Sequence, residues 1–217
     1  MNIKILGVCG SPVKKGNTEL FLEEALKAAR EIEGVNTELV TLARRNINDC
    51  IHCNWCLRSQ QEGQFCGQKD DMDEIYPLIL EADGLLLASP VYFGRLSGLL
   101  ANFVDRLRVF TEGKYYRRKL TDKVGGALAV SWFRGRGEEM TLLTINNALQ
   151  RLGMLTFPGA PGVATSGGTG KFDPDDKLMV LKDEFGLESA RRLARRMVEV
   201  IKIVKLGKEA LSREQGQ

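Results

Sequence analysis

The chain has 217 residues, of which 43% are hydrophobic and 27% are charged, and its formal net charge is +3. This length and composition suit one α/β domain with a sizeable core. The small charge excess gives no reason to predict a nucleic-acid-binding protein, and no segment has the uninterrupted apolar length of a membrane helix. We therefore expect neither nucleic acid nor a membrane as a partner.

Strand-like and helix-like patterns alternate from the N-terminus. Residues 3–8 have the apolar composition of a buried strand, and a loop rich in Gly, Ser and Asn leads into a helix that opens near Thr18. A second strand is predicted at residues 37–42. The later predicted elements are a central strand at 84–88, a helix at 96–110, a strand at 124–130, a helix at 142–152, a short strand at 154–157 and a helix at 183–206.

This order of elements predicts a parallel sheet with helices on both faces. Ligands bind such sheets outside the carboxyl ends of the strands, where the strand order reverses. Three unusual loops follow the predicted central strands at residues 10–18, 89–94 and 131–139. We expect the functional site to lie between these loops.

The first loop reads G-S-P-V-K-K-G-N-T and runs from a strand into a helix N-terminus, which is a natural anion site. Ser11 and Thr18 offer hydroxyl groups, Asn17 offers an amide, and Gly16 permits close approach of the backbone. The loop matches neither the dinucleotide fingerprint nor the nucleotide-triphosphate P-loop. An ordinary turn with Asn17 or Thr18 as helix cap is the alternative interpretation.

Four of the five cysteines lie close together in the chain. They are Cys50, Cys53, Cys56 and Cys66, and the first three form a C-x2-C-x2-C run. No export signal is recognised, so we expect a cytoplasmic protein in which disulfides are rare. A [4Fe–4S] cluster, a structural zinc ion, and free or redox-paired thiols remain as interpretations. Cys9 lies apart in an apolar strand and is expected to be a buried small residue.

Several motifs taken together resemble one protein family. They are G-S-P-x-x-x-G-N-T at 10–18, the cysteine run, K-D-D-M at 69–72, S-P-V-Y-F-G at 89–94 and D-R at 105–106. The combination is similar to the iron–sulfur flavoprotein branch of the flavodoxin-like, NAD(P)H-dependent FMN reductase superfamily. The resemblance covers the first half of the chain in motif detail and the rest in element order.

The resemblance implies a single flavodoxin-like domain over residues 1–217. The expected architecture is a three-layer α/β sandwich around a five-stranded parallel sheet in the order 2-1-3-4-5. A cysteine-rich insertion at residues 46–72 is expected after strand 2. Asp70, Asp71 and Asp73, at its end, are expected to cap the next helix rather than to bind a metal.

The resemblance also implies the cofactor site. The first loop would hold the FMN phosphate, and the second and third loops would line the isoalloxazine ring. The implied cofactor-binding residues are Ser11, Gly16, Asn17, Thr18, Pro90, Val91, Tyr92, Phe93, Gly94 and Ser131. Core packing is the alternative for Tyr92 and Phe93, and Arg134 and Arg136 of the third loop either stabilise a reduced flavin or face solvent.

The implied function is electron transfer by an FMN-dependent oxidoreductase whose four clustered cysteines hold a [4Fe–4S] cluster. The alternatives are a cluster-free NAD(P)H-dependent FMN or quinone reductase, and a zinc-stabilised binding protein on the same fold. Ferredoxin or NAD(P)H is expected as electron donor, and no side chain is predicted to be catalytic because cofactors carry this chemistry. A homodimer or homotetramer is expected, with Trp55 and Phe65 as apolar contacts.

Overall fold

The computed structural model describes residues 1–157, 161–165 and 178–215. Its strands are β1 (Ile3–Cys9), β2 (Val35–Thr41), β3 (Gly84–Tyr92), β4 (Arg95–Leu96), β5 (Val124–Ser131), β6 (Leu155–Thr156) and β7 (Val163–Thr165). Its helices are α1 (Asn17–Arg30), α2 (Trp55–Ser59), α3 (Met72–Glu81), α4 (Gly98–Arg106), α5 (Arg108–Thr111), α6 (Glu138–Arg151) and α7 (Glu184–Gln215). A short 3₁₀ helix covers Met179–Lys182.

The strands form one sheet in the order β2-β1-β3-β5-β6. All neighbours in this path are parallel, which confirms the predicted order of five parallel strands. Within the described ranges the sheet has seven strands rather than five. β6 pairs with the first residues of β5, and β7 pairs with the last residues of the same strand. β4 pairs with the end of β3 in antiparallel fashion.

Helices cover both faces of the sheet, as expected for a three-layer sandwich. The central strand β5 is buried along its length and β3 is buried from Gly84 to Pro90, and alternate residues face opposite layers. Leu85 and Leu87 of β3 pack in the cluster that includes α3, α4 and α6, whereas Leu86 and Ala88 pack in the cluster that includes α1 and α7. A continuous apolar run is what a parallel strand covered on both faces requires.

The cysteine-rich segment lies between β2 and α3 and packs into the main core. Phe65 is 6% exposed and stacks between Tyr76 and Tyr116, with ring centroids 5.1 Å and 4.1 Å apart. The buried amide of Gln60 donates to the carbonyl oxygens of Phe65 and Val109. The expectation that Phe65 offers an exposed contact between subunits is therefore wrong, because its ring is used inside the fold.

The predicted helix at 96–110 is divided in two. α4 ends at Arg106 and α5 begins at Arg108, while the first predicted residue, Leu96, belongs to β4. Apolar residues at helical spacing cannot reveal this break, because both short helices bury the same face. None of the helices in the described ranges combines the length and apolar composition that a membrane crossing needs.

Candidate functional site

The loops after β1, β3 and β5 meet at one edge of the sheet. The Ser97 hydroxyl donates to the Gly10 carbonyl oxygen at 2.6 Å, and Ser97 N–H donates to Ser89 Oγ at 2.9 Å. A Cβ on Gly137 would lie 2.5 Å from the Gly94 Cα. The three segments predicted from sequence are therefore brought together, since parallel strands end at the same edge.

The first loop turns tightly into α1 and leaves the start of that helix without a side-chain cap. Gly16 occupies the N-cap position and has no side chain to offer, whereas Ser11 Oγ accepts from Val13 N–H at 3.1 Å within the loop. Thr18 is 3% exposed, and Asn17 Oδ1 accepts from Val180 N–H at 2.8 Å. The first-turn N–H groups of a helix that lacks such a cap favour an anion.

The second loop presents aromatic side chains to solvent. Phe93 is fully exposed at 107% and has a left-handed backbone with φ of +51°, and Tyr92 is 43% exposed. Core packing is thus excluded for Phe93 in the folded chain. A bulky residue held in the left-handed region without burial is unfavourable for folding, which is typical of a residue retained for binding. Pro90 and Val91 precede Tyr92 in the last part of β3, and Gly94 follows Phe93 with φ of +75°.

The third loop is organised by a buried carboxylate that the sequence analysis missed. Glu138 is 2% exposed and accepts from the N–H groups of Gly135 and Arg136 at 3.1 Å and 2.7 Å. Its Oε1 also lies 2.6 Å from Ser131 Oγ, and the same hydroxyl lies 2.8 Å from the Phe133 carbonyl oxygen. The Ser131 hydroxyl therefore stabilises the conformation of the third loop through contacts inside that loop.

Arg134 connects the third loop to the start of α7. Its Nη2 donates to both carboxylate oxygens of Asp183 at 2.8 Å, and its guanidinium lies 4.8 Å from the centroid of the Phe185 ring. Asp183 also accepts from Thr165 N–H at the end of β7. Of the two interpretations given for Arg134, the solvent-facing one agrees with the structure, because the side chain is 43% exposed while it forms this ion pair.

The four clustered cysteines line a single small cavity. Besides Cys50, Cys53, Cys56 and Cys66, this cysteine cavity is lined by Ile51, Asn54, Gln68, Arg106, Arg108 and Val109. Burial raises the pKa of the Cys56 thiol, the charge of Arg108 opposes the shift, and Cys66 and Cys50 add to it. Cysteines that are up to sixteen positions apart in the chain thus meet around one space.

Two left-handed residues shape the cysteine loop. His52 and Asn54 have φ of +53° and +59°, on either side of Cys53. Arg108 Nη2 donates to Asn54 Oδ1 at 2.8 Å, and Arg58 Nη2 donates to the Cys53 carbonyl oxygen at 2.8 Å. These contacts hold a strained turn in place, which is a known feature of ligand-binding loops.

Cys53 also faces outward. It is exposed, and it lines an open groove of about 450 Å³ together with Ile51, Trp55, Arg58, Ser59, Gly67 and Gln68. Cys9 differs from the clustered cysteines, because it is fully buried in β1 and burial raises its thiol pKa to about 12. The expectation that Cys9 is a buried small residue is confirmed.

Sequence comparison decides the family. Residues 3–168 match the family described as NADPH-dependent FMN reductase. The chain belongs to this family. It is therefore an FMN-dependent oxidoreductase, as the motifs in its first half predicted.

Several curated relatives of this FMN reductase family member are named iron-sulfur flavoproteins. One from Methanocaldococcus jannaschii is 42% identical over 205 residues, covering 94% of this chain and all of the relative. One from Archaeoglobus fulgidus is 34% identical over 198 residues, covering 91% of this chain and 96% of the relative. One from Methanosarcina thermophila is 29% identical over 207 residues, covering 95% of this chain and all of the relative. The predicted resemblance to this branch is confirmed.

Solved structures that superimpose on the chain have low sequence identity to it and therefore show only its fold. A WrbA-like flavodoxin from Agrobacterium tumefaciens superimposes with a TM-score of 0.60 at 16% identity, covering 93% of this chain and 98% of the other. An azoreductase from Bacillus anthracis superimposes with a TM-score of 0.58 at 15% identity, covering 89% and 99%. The flavodoxin-like architecture of this family member is thus confirmed.

The three-loop site fits the FMN of this family. A glycine-capped helix start lies beside an edge at which Gly94 and Gly135 have open space where a Cβ would be. The cysteine cavity contains four thiols, the ligand type and number of a [4Fe–4S] cluster. Among the described residues, however, no three His, Cys, Asp or Glu side chains are grouped so as to hold a metal ion.

Arg106 is the second residue that the sequence analysis undervalued. It is buried in the wall of the cysteine cavity, and its Nη atoms donate to Asp70 at 2.5 Å and 3.2 Å. Asp70 also accepts from Met72 N–H at 3.1 Å, near the start of α3. The expectation of a simple cap was therefore incomplete, because the main partner of this carboxylate is 36 residues away in the chain.

Proposed function

We propose that this oxidoreductase transfers electrons between FMN and a [4Fe–4S] cluster held by Cys50, Cys53, Cys56 and Cys66. The observation that carries the proposal is the cysteine cavity, where four thiols from two separate stretches of chain line one space. Thiolates in this number are the usual ligands of a cubane cluster. The names of the curated relatives are consistent with it.

The FMN phosphate is proposed to lie at the first loop. There the helix dipole of α1 and its first N–H groups attract an anion, and the residues in reach are Ser11, Gly16, Asn17 and Thr18. Asn17 contributes its amide nitrogen, because its Oδ1 is held by Val180 N–H. This single anion site favours FMN over a dinucleotide.

The flavin ring is proposed to lie against the second and third loops. Pro90, Val91, Tyr92, Phe93 and Gly94 form one wall, and Ser131 acts through the loop that it shapes with Glu138. The bound flavin would accept or donate two electrons, and the cluster would carry them one at a time. The protein orients the ring and shields it from water on its buried side.

We further propose one domain over residues 1–217 with the cysteine-rich insertion at 46–72, in a cytoplasmic homodimer or homotetramer. Ferredoxin or NAD(P)H is the proposed electron donor. Cys53 is the cluster ligand nearest to solvent, since it is exposed and lines the outer groove. Sedimentation that shows only monomer at micromolar concentration would contradict the proposed assembly.

Flavin, iron and sulfide analysis of protein purified without oxygen tests the proposal. We expect one FMN, with iron and sulfide in equal amounts near four per chain. Each of the four cysteines changed to Ala should lose the cluster and retain FMN, whereas Cys9→Ala should keep both. Flavin without iron supports the cluster-free reductase, and zinc without flavin supports the binding protein.

A further inference from the structure

Arg106 has an unused hydrogen-bond donor in the wall of the cysteine cavity. Its side chain is 1% exposed. Nη1 donates to Asp70 Oδ2 and to the Asn48 carbonyl oxygen, and Nη2 donates to Asp70 Oδ1. The Nε atom is buried and has no hydrogen-bond partner in the described part of the protein.

A buried donor without a partner destabilises a fold, and native proteins rarely keep one without a reason. The guanidinium group is firmly held, since Nη1 and Nη2 donate to the two carboxylate oxygens of Asp70 and Nη1 also donates to the Asn48 carbonyl oxygen. The arginine therefore cannot turn to satisfy Nε without breaking the ion pair. Arg106 lines the cysteine cavity together with the four clustered cysteines, so sulfur acceptors are among its neighbours.

We propose that Arg106 Nε–H donates a hydrogen bond to a sulfur atom of the iron–sulfur cluster in the cysteine cavity. This inference rests on the proposed function and assigns to Arg106 a role that its ion pair with Asp70 does not require. Cluster sulfurs and thiolates are acceptors, and the cavity offers Cys50, Cys53, Cys56 and Cys66. The acceptor is thus supplied by the bound cluster.

The consequence is electrostatic. Hydrogen bonds to sulfur and nearby positive charge stabilise the more negative, reduced state of a cluster and so raise its reduction potential. Arg108 lines the same cavity, but its Nη2 is already bound to Asn54 Oδ1 and its side chain is partly exposed. The two arginines therefore differ in the feature that the inference needs.

Arg106→Lys tests the inference, because it keeps a positive charge beside Asp70 and removes Nε–H. Arg108→Lys is the matched control at the same cavity. Both variants and the unaltered protein are reconstituted with iron and sulfide. The measurements are the reduction potential of the cluster, the rate of iron release to a chelator, and thermal unfolding of the metal-free protein.

We expect Arg106→Lys to lower the potential and to release iron about 10-fold faster, as loss of an outer-shell partner typically does. Arg108→Lys should shift the potential less than Arg106→Lys does, because the Arg108 Nη2 is already bound to Asn54 Oδ1. Equal potentials in all three proteins, or equal shifts in both variants, would overturn the inference while the proposed function stands. If the unaltered protein takes up no iron and sulfide, the proposed function fails and this inference with it.

A second measurement does not depend on whether Arg106→Lys folds. Pulsed electron paramagnetic resonance of the reduced protein, prepared with nitrogen-15 arginine, detects a nitrogen that is hydrogen-bonded to cluster sulfur. We expect a weak nitrogen-15 coupling in the unaltered protein and in Arg108→Lys. A reduced cluster without this coupling would overturn the inference.

Discussion

Arg106 and Asp70 form an ion pair with two hydrogen bonds, and their side chains are 1% and 0% exposed. The pair joins the end of α4 to the segment that leads from the cysteines into α3. Arg106 also donates to the Asn48 carbonyl oxygen, just before the first clustered cysteine. Both ends of the cysteine-rich segment are therefore anchored to one buried guanidinium.

Removal of Asp70 should destabilise the protein strongly. Asp70→Ala leaves a buried guanidinium without its counter-charge, which typically costs about 3–5 kcal/mol of unfolding free energy. Asp73→Ala is the control, because Asp73 pairs with Lys69 at 3.3 Å on the surface. That change should cost less than about 1 kcal/mol. Urea unfolding of the metal-free variants measures both, and equal losses would contradict the prediction.

The same ion pair should make the unfolding free energy of the protein depend on pH. Burial acts to raise the pKa of Asp70, but hydrogen bonds from Arg106, Asn48 N–H and Met72 N–H outweigh it and hold the pKa below its usual range. The pair therefore stabilises the fold above the unfolded-state value of about 3.9, and this contribution is lost as pH falls through the lower folded-state pKa. Unfolding free energies measured from pH 6 to pH 3 should fall less steeply in Asp70→Asn.

Loss of the Gln60 amide should loosen the cysteine-rich segment. Its Nε2 serves two carbonyl oxygens, and its Oε1 accepts from Tyr115 N–H at 3.0 Å and Tyr116 N–H at 2.9 Å. Gln60→Ala leaves these groups unpaired, and we expect a loss of about 3 kcal/mol. Gln61→Ala, on the exposed side of the chain, should stay within about 0.5 kcal/mol. Similar thermal shifts in both variants would refute this.

An added methyl group at Gly137 should separate the second and third loops. The backbone there has φ of +108°, and a Cβ would lie 2.5 Å from Gly94 Cα. Gly135→Ala is the control, since its φ of +75° imposes a similar strain of about 1 kcal/mol but its Cβ meets open space. Fluorescence titration should show a larger loss of FMN affinity in Gly137→Ala. A greater loss in Gly135→Ala would contradict the assigned contact.

We expect the native Phe93 side chain to reduce the stability of the fold and to strengthen flavin binding. Phe93→Asn relieves a strained left-handed backbone, because Asn tolerates that region, and we expect a gain of about 0.5 kcal/mol with weaker FMN binding. Arg118→Asn is the control, an exposed residue with φ of +62° outside the three loops. It should gain similar stability without a change in FMN affinity. Unchanged affinity in Phe93→Asn would remove Phe93 from the proposed site.

The sequence predicted which loops meet at one edge of the sheet better than it predicted the contacts between their side chains. The loops after β1, β3 and β5 were placed correctly, because a buried parallel strand is recognisable from its apolar run and its carboxyl end marks a binding edge. Glu138 gave no such signal, since a glutamate at the start of a helix is usually a solvated first-turn residue. Only the folded loop shows it buried against Ser131.

The amino-acid sequence by itself determined the alternation of strands and helices through local periodicity, and the family through short motifs. The strand order was an expectation that the family resemblance implied. The tertiary structure decided what depends on residues far apart in the chain. It set Arg106 against Asp70, 36 residues away, and gathered Cys66 with Cys50 around one cavity. Burial gives such pairings their energy, and burial is a property of the whole fold that no short stretch of sequence contains.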